Sequence, residues 1–268
     1  MGFLEEVVSA TRDTIAQPGY SAGLPEDGPR RRPSFREAIK RDERNGALVV
    51  EYKRVSPGQA SPSLPQWSVS EFVASTSPAA PSAYSCLATA SRFEGAPADV
   101  RELASATRRP VLFKDFVIDR RQLDVAARTG ASAVLLIARL ESDGFLSEGL
   151  SALAEAAHRR GLEVLLEFHG GTELSRAAGV PADVFGVNMR DLDTLEIDRA
   201  TGARTLTRAR EKGLRPLLGL SGVGHARDAA RLWDAGADGI LVGSAVARSN
   251  DPARFLSGLR RPSQGRPR

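Results

Sequence analysis

Five times in the second half of the chain a glycine leads through a small or polar residue into a short apolar run. The segments are GASAVLLI (130–137), GLEVLLEF (161–168), GVPADVFGVN (179–188), GLRPLLGL (213–220) and GADGILVG (236–243). Each follows a helix-like stretch, so each glycine reads as a helix cap and each run as a buried strand. Continuous apolar strands between amphipathic helices imply a parallel sheet covered by helices. Counting backwards adds strands over 47–53 (ALVVEYK), 83–88 (AYSCLA) and 110–114 (PVLFK), which makes eight. The fold class expected is therefore α/β, a single (β/α)8 TIM barrel. An open doubly wound sheet is the alternative, and no G-x-G-x-x-G follows the first strand to support it.

Two further helices are expected ahead of strand one, over 2–15 and 34–44, joined by the Pro/Gly-rich segment Gln17 to Pro33. Ser34, three residues before Glu37, is a capping signal for the second. The organisation that follows is an N-terminal helical extension (1–45), the barrel (46–257) and a basic tail (258–268) expected to be disordered. The extension could plug the bottom of the barrel or lid its mouth, and the sequence leaves both open.

Composition excludes more than it selects. With 41% hydrophobic and 26% charged residues the chain reads as globular, and its 268 residues suffice for one large barrel. The formal net charge of +4 is spread along the chain, which suits an anionic metabolite better than nucleic acid. Cys86 is the only cysteine and reads as a small buried strand residue; a reducing, cytoplasmic compartment is expected. Glu5 and Glu6 interrupt the apolar core a signal peptide would need, Glu6 also breaks a myristoylation pattern, and no run is long enough for a membrane span. His158, His169 and His225 show no ligand spacing, so neither a metal nor another cofactor is expected. The partner expected is a small phosphorylated molecule, with no nucleic acid and no membrane, and the chain is expected to be a monomer or at most a weak homodimer.

Among 37 basic residues only Lys40, Lys53, Lys114 and Lys212 are lysines; wherever plain positive charge suffices the chain uses arginine. Lysine differs in being able to shift its pKa and release a proton. Lys40 and Lys212 lie on helices and read as surface charges, whereas Lys53 and Lys114 end strands one and three. Chemistry in such barrels gathers at the C-terminal ends of strands. Strand one ends Glu51-Tyr52-Lys53, with Glu51 and Lys53 on one side by alternation. Strand five ends in Glu167, and strand six in Asn188 with Arg190 just beyond. The turns Ser221-Gly222 and Gly243-Ser244, after strands seven and eight, fit a phosphate cradle of backbone amides. Phe93, Phe116, Leu135 and Leu192 are candidate apolar walls. Glu51 and Glu167 could instead be structural partners that neutralise the lysines.

With these residues in view, the chain resembles the indole-3-glycerol-phosphate synthase family of tryptophan biosynthesis. The segments EYKRVSP, PVLFKDF, GASAVLLI, LLEFH, GVNMRDL, LSGV and LVGS carry the resemblance, which runs from about Ser34 to Phe255. It implies ring closure of 1-(2-carboxyphenylamino)-1-deoxyribulose 5-phosphate with loss of carbon dioxide and then water. By motif it implies Lys114 as general acid and Glu167 as general base. It also implies Lys53 and Glu51 as the pair that holds the anthranilate end and assists dehydration, Asn188, Arg190 and Ser221 as substrate-binding residues, and Ser56, Gly222, Gly243 and Ser244 as the phosphate site. Three departures stand out: Leu220 where the family usually has an acid, Met189 for a small polar residue, and Gly58 for serine. A phosphoribosylanthranilate isomerase would want cysteine at Glu51 and aspartate at Asn188. A non-catalytic or altered barrel that binds a phosphate ester is the other alternative, and Leu220 is its best support.

Overall fold

The computed structural model describes residues 2–29, 31–56 and 67–262. Strands β1 (Ala47–Tyr52), β2 (Ala83–Leu87), β3 (Val111–Lys114), β4 (Ala133–Ile137), β5 (Glu163–Phe168), β6 (Val184–Asn188), β7 (Leu217–Leu220) and β8 (Gly239–Val242) pair in chain order. All are parallel, and β8 returns to β1, so the sheet closes into an eight-stranded barrel. Helices α1 (Phe3–Ala16) and α2 (Phe35–Asp42) precede it. The crossovers are α3 (Val69–Thr76), α4 (Pro97–Ala106), α5 (Arg120–Thr129), α6 (Ala138–Ser142) with α7 (Leu150–Arg159), α8 (Gly171–Ala177), α9 (Arg199–Glu211) and α10 (Ala226–Asp234). Helices α11 (Ser244–Ala247) and α12 (Pro252–Ser257) follow β8.

The glycine pattern has a backbone cause. Gly130, Gly161, Gly213 and Gly236 have φ of +87°, +70°, +80° and +94°, the left-handed region in which a helix ends cheaply only on a residue without Cβ; the fifth of the series, Gly179, follows α8 without entering that region. Small polar residues at the feet of the strands then fix register. Asp183 accepts the amide of Val164, Asp238 that of Leu217, and Ser82, at the start of β2, that of Leu48. Each ties the foot of one strand to its neighbour.

Alternation sorts the strand residues into two cores. Leu48, Val50, Phe113, Leu136, Leu166 and Ile240 face the helices, whereas Val49, Leu112, Leu135, Leu165, Leu218 and Leu241 fill the barrel. One more step along the inward rows brings Glu51, Lys114, Glu167, Asn188 and Leu220 to the C-terminal mouth, so the packing pattern itself aims these side chains at one volume. Cys86 is buried in β2.

The extension does both of the things left open by its sequence. Phe35 and Ile39 of α2 join the inner core, and at the foot of β5 Glu163 accepts from Ser34 Oγ at 2.5 Å and from the Arg36 amide at 2.7 Å. Thus α2 plugs the bottom. Helix α1 lies on the mouth: Glu6 pairs with Arg92 at 2.6 Å in the loop after β2, and Arg12 donates to the Phe145 carbonyl in the loop after α6. Between them the strap runs down the helical wall, where Arg101 donates to Gly23 and Arg128 to Leu24 and Pro25.

The tail expected to be disordered from residue 258 instead stays on the barrel to residue 262. Leu259 is 1% exposed, Trp233 donates to its carbonyl, and Arg260 and Arg261 donate to Gly46, Ala79, Ala80 and Ala237. These guanidinium groups find backbone acceptors beside an apolar anchor, which composition does not reveal. The rest of the tail, 263–268, and the departure at Gly58 lie outside the described residues. No helix among the described residues is long and apolar enough to cross a membrane.

Candidate active site

The mouth opens on a cavity of about 270 Å³. All of the residues singled out from the strand ends and their loops line it: Glu51, Lys53, Ser56, Phe93, Lys114, Phe116, Leu135, Glu167, Asn188, Arg190, Leu192, Ser221, Gly222, Gly243 and Ser244. They come from the ends of seven strands and the loops beyond them, with Leu135 added from within β4.

Its charged half is built around one carboxylate. Glu51, 4% exposed, lies with Oε1 2.6 Å from Lys53 Nζ and Oε2 3.6 Å from Lys114 Nζ. Burial alone would push its carboxyl upward, but the two ammonium groups outweigh that and hold it below the usual carboxylate range. Lys53 moves down, because burial of its ammonium exceeds the support from Glu51 and the nearby Lys114 and Arg190 charges add to the loss. It therefore sits nearer to releasing its proton than a surface lysine. Lys40 and Lys212, by contrast, are exposed on the outside.

Glu167, 2% exposed, has a different partner from the one its charge suggests. Asn188 Nδ2 donates to its Oε1 at 2.9 Å, and Asn188 Oδ1 accepts the Arg190 backbone amide at 3.0 Å. The other oxygen of Glu167 has no hydrogen bond among the described residues, and the side chain borders the cavity. The Arg190 guanidinium is set by a 2.7 Å bond to the Leu195 carbonyl. Behind this pair, His169 bridges Glu173 (3.2 Å) and the Arg190 carbonyl (2.9 Å). Both ring nitrogens face acceptors, which favours the doubly protonated ring.

The cradle lies across the β8–β1 seam. Ser56 and Ser244 hydroxyls meet at 2.9 Å. A Cβ at Gly243 would stand 2.6 Å from Glu51 Oε1 and 3.1 Å from Lys53 Nζ, so any larger residue there would displace this ion pair. Ser221 and Gly222 both have left-handed φ, +66° and +75°. Leu220 is 2% exposed and packs on Gly186, where a Cβ would come within 2.7 Å of Leu220 Cδ1. Leu220 makes this part of the cavity wall apolar. Met189 does not line the cavity; it packs beneath Gly202 of α9.

Sequence reasoning missed Phe3, Arg199 and Arg248, which also line the cavity. Phe3 stacks edge-on against Phe93 with centroids 6.2 Å apart, and Phe93 is 6.2 Å from Phe116. Nothing in the sequence signals it, because it precedes β1 by more than forty residues. Arg199 and Arg248 were hidden among the arginines.

Comparisons with known proteins place the chain among relatives of one name. The family model for indole-3-glycerol phosphate synthase matches residues 4–259. The enzyme of that name from Staphylococcus saprophyticus is 31% identical over 264 residues, 97% of this chain and 98% of that one. That from Exiguobacterium sibiricum is 35% identical over 213 residues, 80% of each chain. "Indole-3-glycerol phosphate synthase 2" of Streptomyces coelicolor is 36% identical over 80% of each. Among solved structures, a 3-hexulose-6-phosphate synthase superposes with a TM-score of 0.61 at 17% identity, over 80% of this chain and 97% of that one, a likeness of fold alone.

Proposed function

This chain belongs to the indole-3-glycerol phosphate synthase family, and from that premise we propose that its mouth closes the indole ring of 1-(2-carboxyphenylamino)-1-deoxyribulose 5-phosphate. The observation that carries the reading is the arrangement around Glu51: two lysines share one buried carboxylate, while Glu167 keeps an oxygen for the substrate on the opposite wall.

The aromatic carbon that bears the carboxylate attacks the ketone carbon, and the ketone oxygen needs a proton as its π bond breaks. Lys114 supplies that proton as general acid. The carbon–carbon bond to the carboxylate then breaks, its electrons restore the aromatic ring, and carbon dioxide leaves. Dehydration follows: the new hydroxyl takes a proton from an ammonium of the Lys53–Lys114 pair and leaves as water, while Glu167 removes a proton from the adjacent carbon. Phe93, Phe116, Leu135 and Leu192 wall the aromatic ring, Asn188 and Arg190 orient it, and Ser56, Ser221, Gly222, Gly243 and Ser244 hold the phosphate. No cofactor enters these steps. A monomer in the cytoplasm, with residues 1–45 serving the barrel as plug and cover, completes the reading.

Leu220 favours a second reading, a barrel of altered activity that binds a phosphate ester. Turnover of the carboxyphenylamino substrate, followed by indole fluorescence, decides between them. An increase in fluorescence supports the synthase; a protein that binds the substrate without turnover supports the alternative.

A further inference from the structure

On the β7 side of the cavity the backbone takes a shape that needs support. Ser221 has φ of +66°, a conformation that costs a non-glycine residue free energy and persists only where its surroundings over-determine it. The support comes from two side chains. Arg199 Nε donates to the Gly222 carbonyl at 2.7 Å, and Asp228 Oδ2 accepts the amides of Gly224 (2.9 Å) and His225 (3.0 Å). The two are joined, with Arg199 Nε 3.4 Å from Asp228 Oδ1. A ring of contacts thus encloses the turn.

These contacts occupy one nitrogen of Arg199. Its terminal nitrogens have no partner among the described residues, while the side chain lines the cavity against Gly222. Of the other cations at the mouth, Lys53 and Lys114 pair with Glu51, and Arg190 donates to the Leu195 carbonyl. A phosphate monoester carries a charge between about −1.5 and −2 at neutral pH, which backbone amides and hydroxyls alone do not neutralise.

We propose that Arg199 is a phosphate-binding residue of this site: Nε fixes the Gly222 turn, and the terminal edge of the guanidinium takes two phosphate oxygens as a fork. A planar guanidinium suits that task, because one group can hold a backbone carbonyl and an anion at once. The inference rests on the phosphate-ester reading above but not on the ring-closing chemistry.

The test measures binding of inorganic phosphate and of glycerol 3-phosphate to the full chain by calorimetry, across ionic strength, in Arg199→Ala and Arg199→Lys. Hydrogen bonds to charged groups are worth enough that affinity should fall about tenfold or more in Arg199→Ala, with part of it restored by lysine. Losing a cation that touches the anion should also flatten the salt dependence. Unchanged affinity overturns the proposal. So does weakened affinity with the full salt dependence retained, because that outcome assigns Arg199 to the loop alone. If Arg199→Ala fails to fold, Arg199→Gln gives the same readout while keeping a donor for Gly222. Phosphate binding that depends on Arg199 in a protein that forms no indole product would sink the synthase reading and leave this one standing; turnover with Arg199-independent binding would do the reverse.

Discussion

Asn188 donates its side-chain amide to Glu167 Oε1 across 2.9 Å, joining the ends of β5 and β6 inside the cavity. The amide holds the carboxylate without competing for its charge. Asn188→Asp would put a second carboxyl at that distance, and two carboxylates sharing a site cannot both ionise freely, so one pKa rises. The acid limb of the kcat–pH profile should move upward by about a unit or more, with reduced turnover at neutral pH. An unmoved limb in a variant of normal fold would remove Glu167 from the rate.

Lys114→Arg keeps a positive charge at the end of β3 but supplies no transferable proton. Turnover should fall about 10²- to 10⁴-fold, the usual worth of general acid catalysis, while phosphate binding persists. Near-normal turnover would refute the acid role.

Stability should carry a pH signature from His169 and Glu173. Burial opposes a charged imidazole, but the bond to Glu173, the charges of Glu167 and Glu173, and the Arg190 carbonyl outweigh it, so the His169 pKa is raised. Its contribution is fully present below the unfolded value of about 6.5 and is lost as pH rises through the folded pKa. Burial likewise opposes the Glu173 carboxylate, but His169 outweighs it and lowers the pKa. That contribution is present above the unfolded value of about 4.3 and is lost as pH falls through the folded pKa. The melting-temperature difference between wild type and His169→Gln should therefore be greatest between about pH 4.3 and 6.5 and shrink on the alkaline side. A constant difference from acid to alkaline pH would mean the ring is neutral.

Phe3 reaches the cavity from α1 and meets Phe93 edge-on. Aromatic pairs of this kind are worth about 0.5–1.5 kcal/mol, so Phe3→Ala should raise KM by roughly 2- to 10-fold with a smaller change in kcat. Steady-state kinetics checks this. An unaltered KM would reduce α1 to scaffolding.

The barrel and most of the residues that line its mouth were legible in the chain because both rest on local rules. Glycine caps and apolar runs mark the strands, and period-two alternation carries Glu51, Lys114, Glu167 and Asn188 inward once the sheet closes. What those groups do to one another was not legible. That both lysines share Glu51 while Glu167 pairs with Asn188 depends on which strands adjoin and where rotamers meet, and β1, β3, β5 and β6 bring these residues together over more than a hundred positions. Phe3 and Arg199 entered the site for the same reason. Local pattern fixes which face a residue takes, because it follows from backbone geometry within a few residues; partner, charge balance and burial are properties of the closed barrel, set only when distant segments exclude water together.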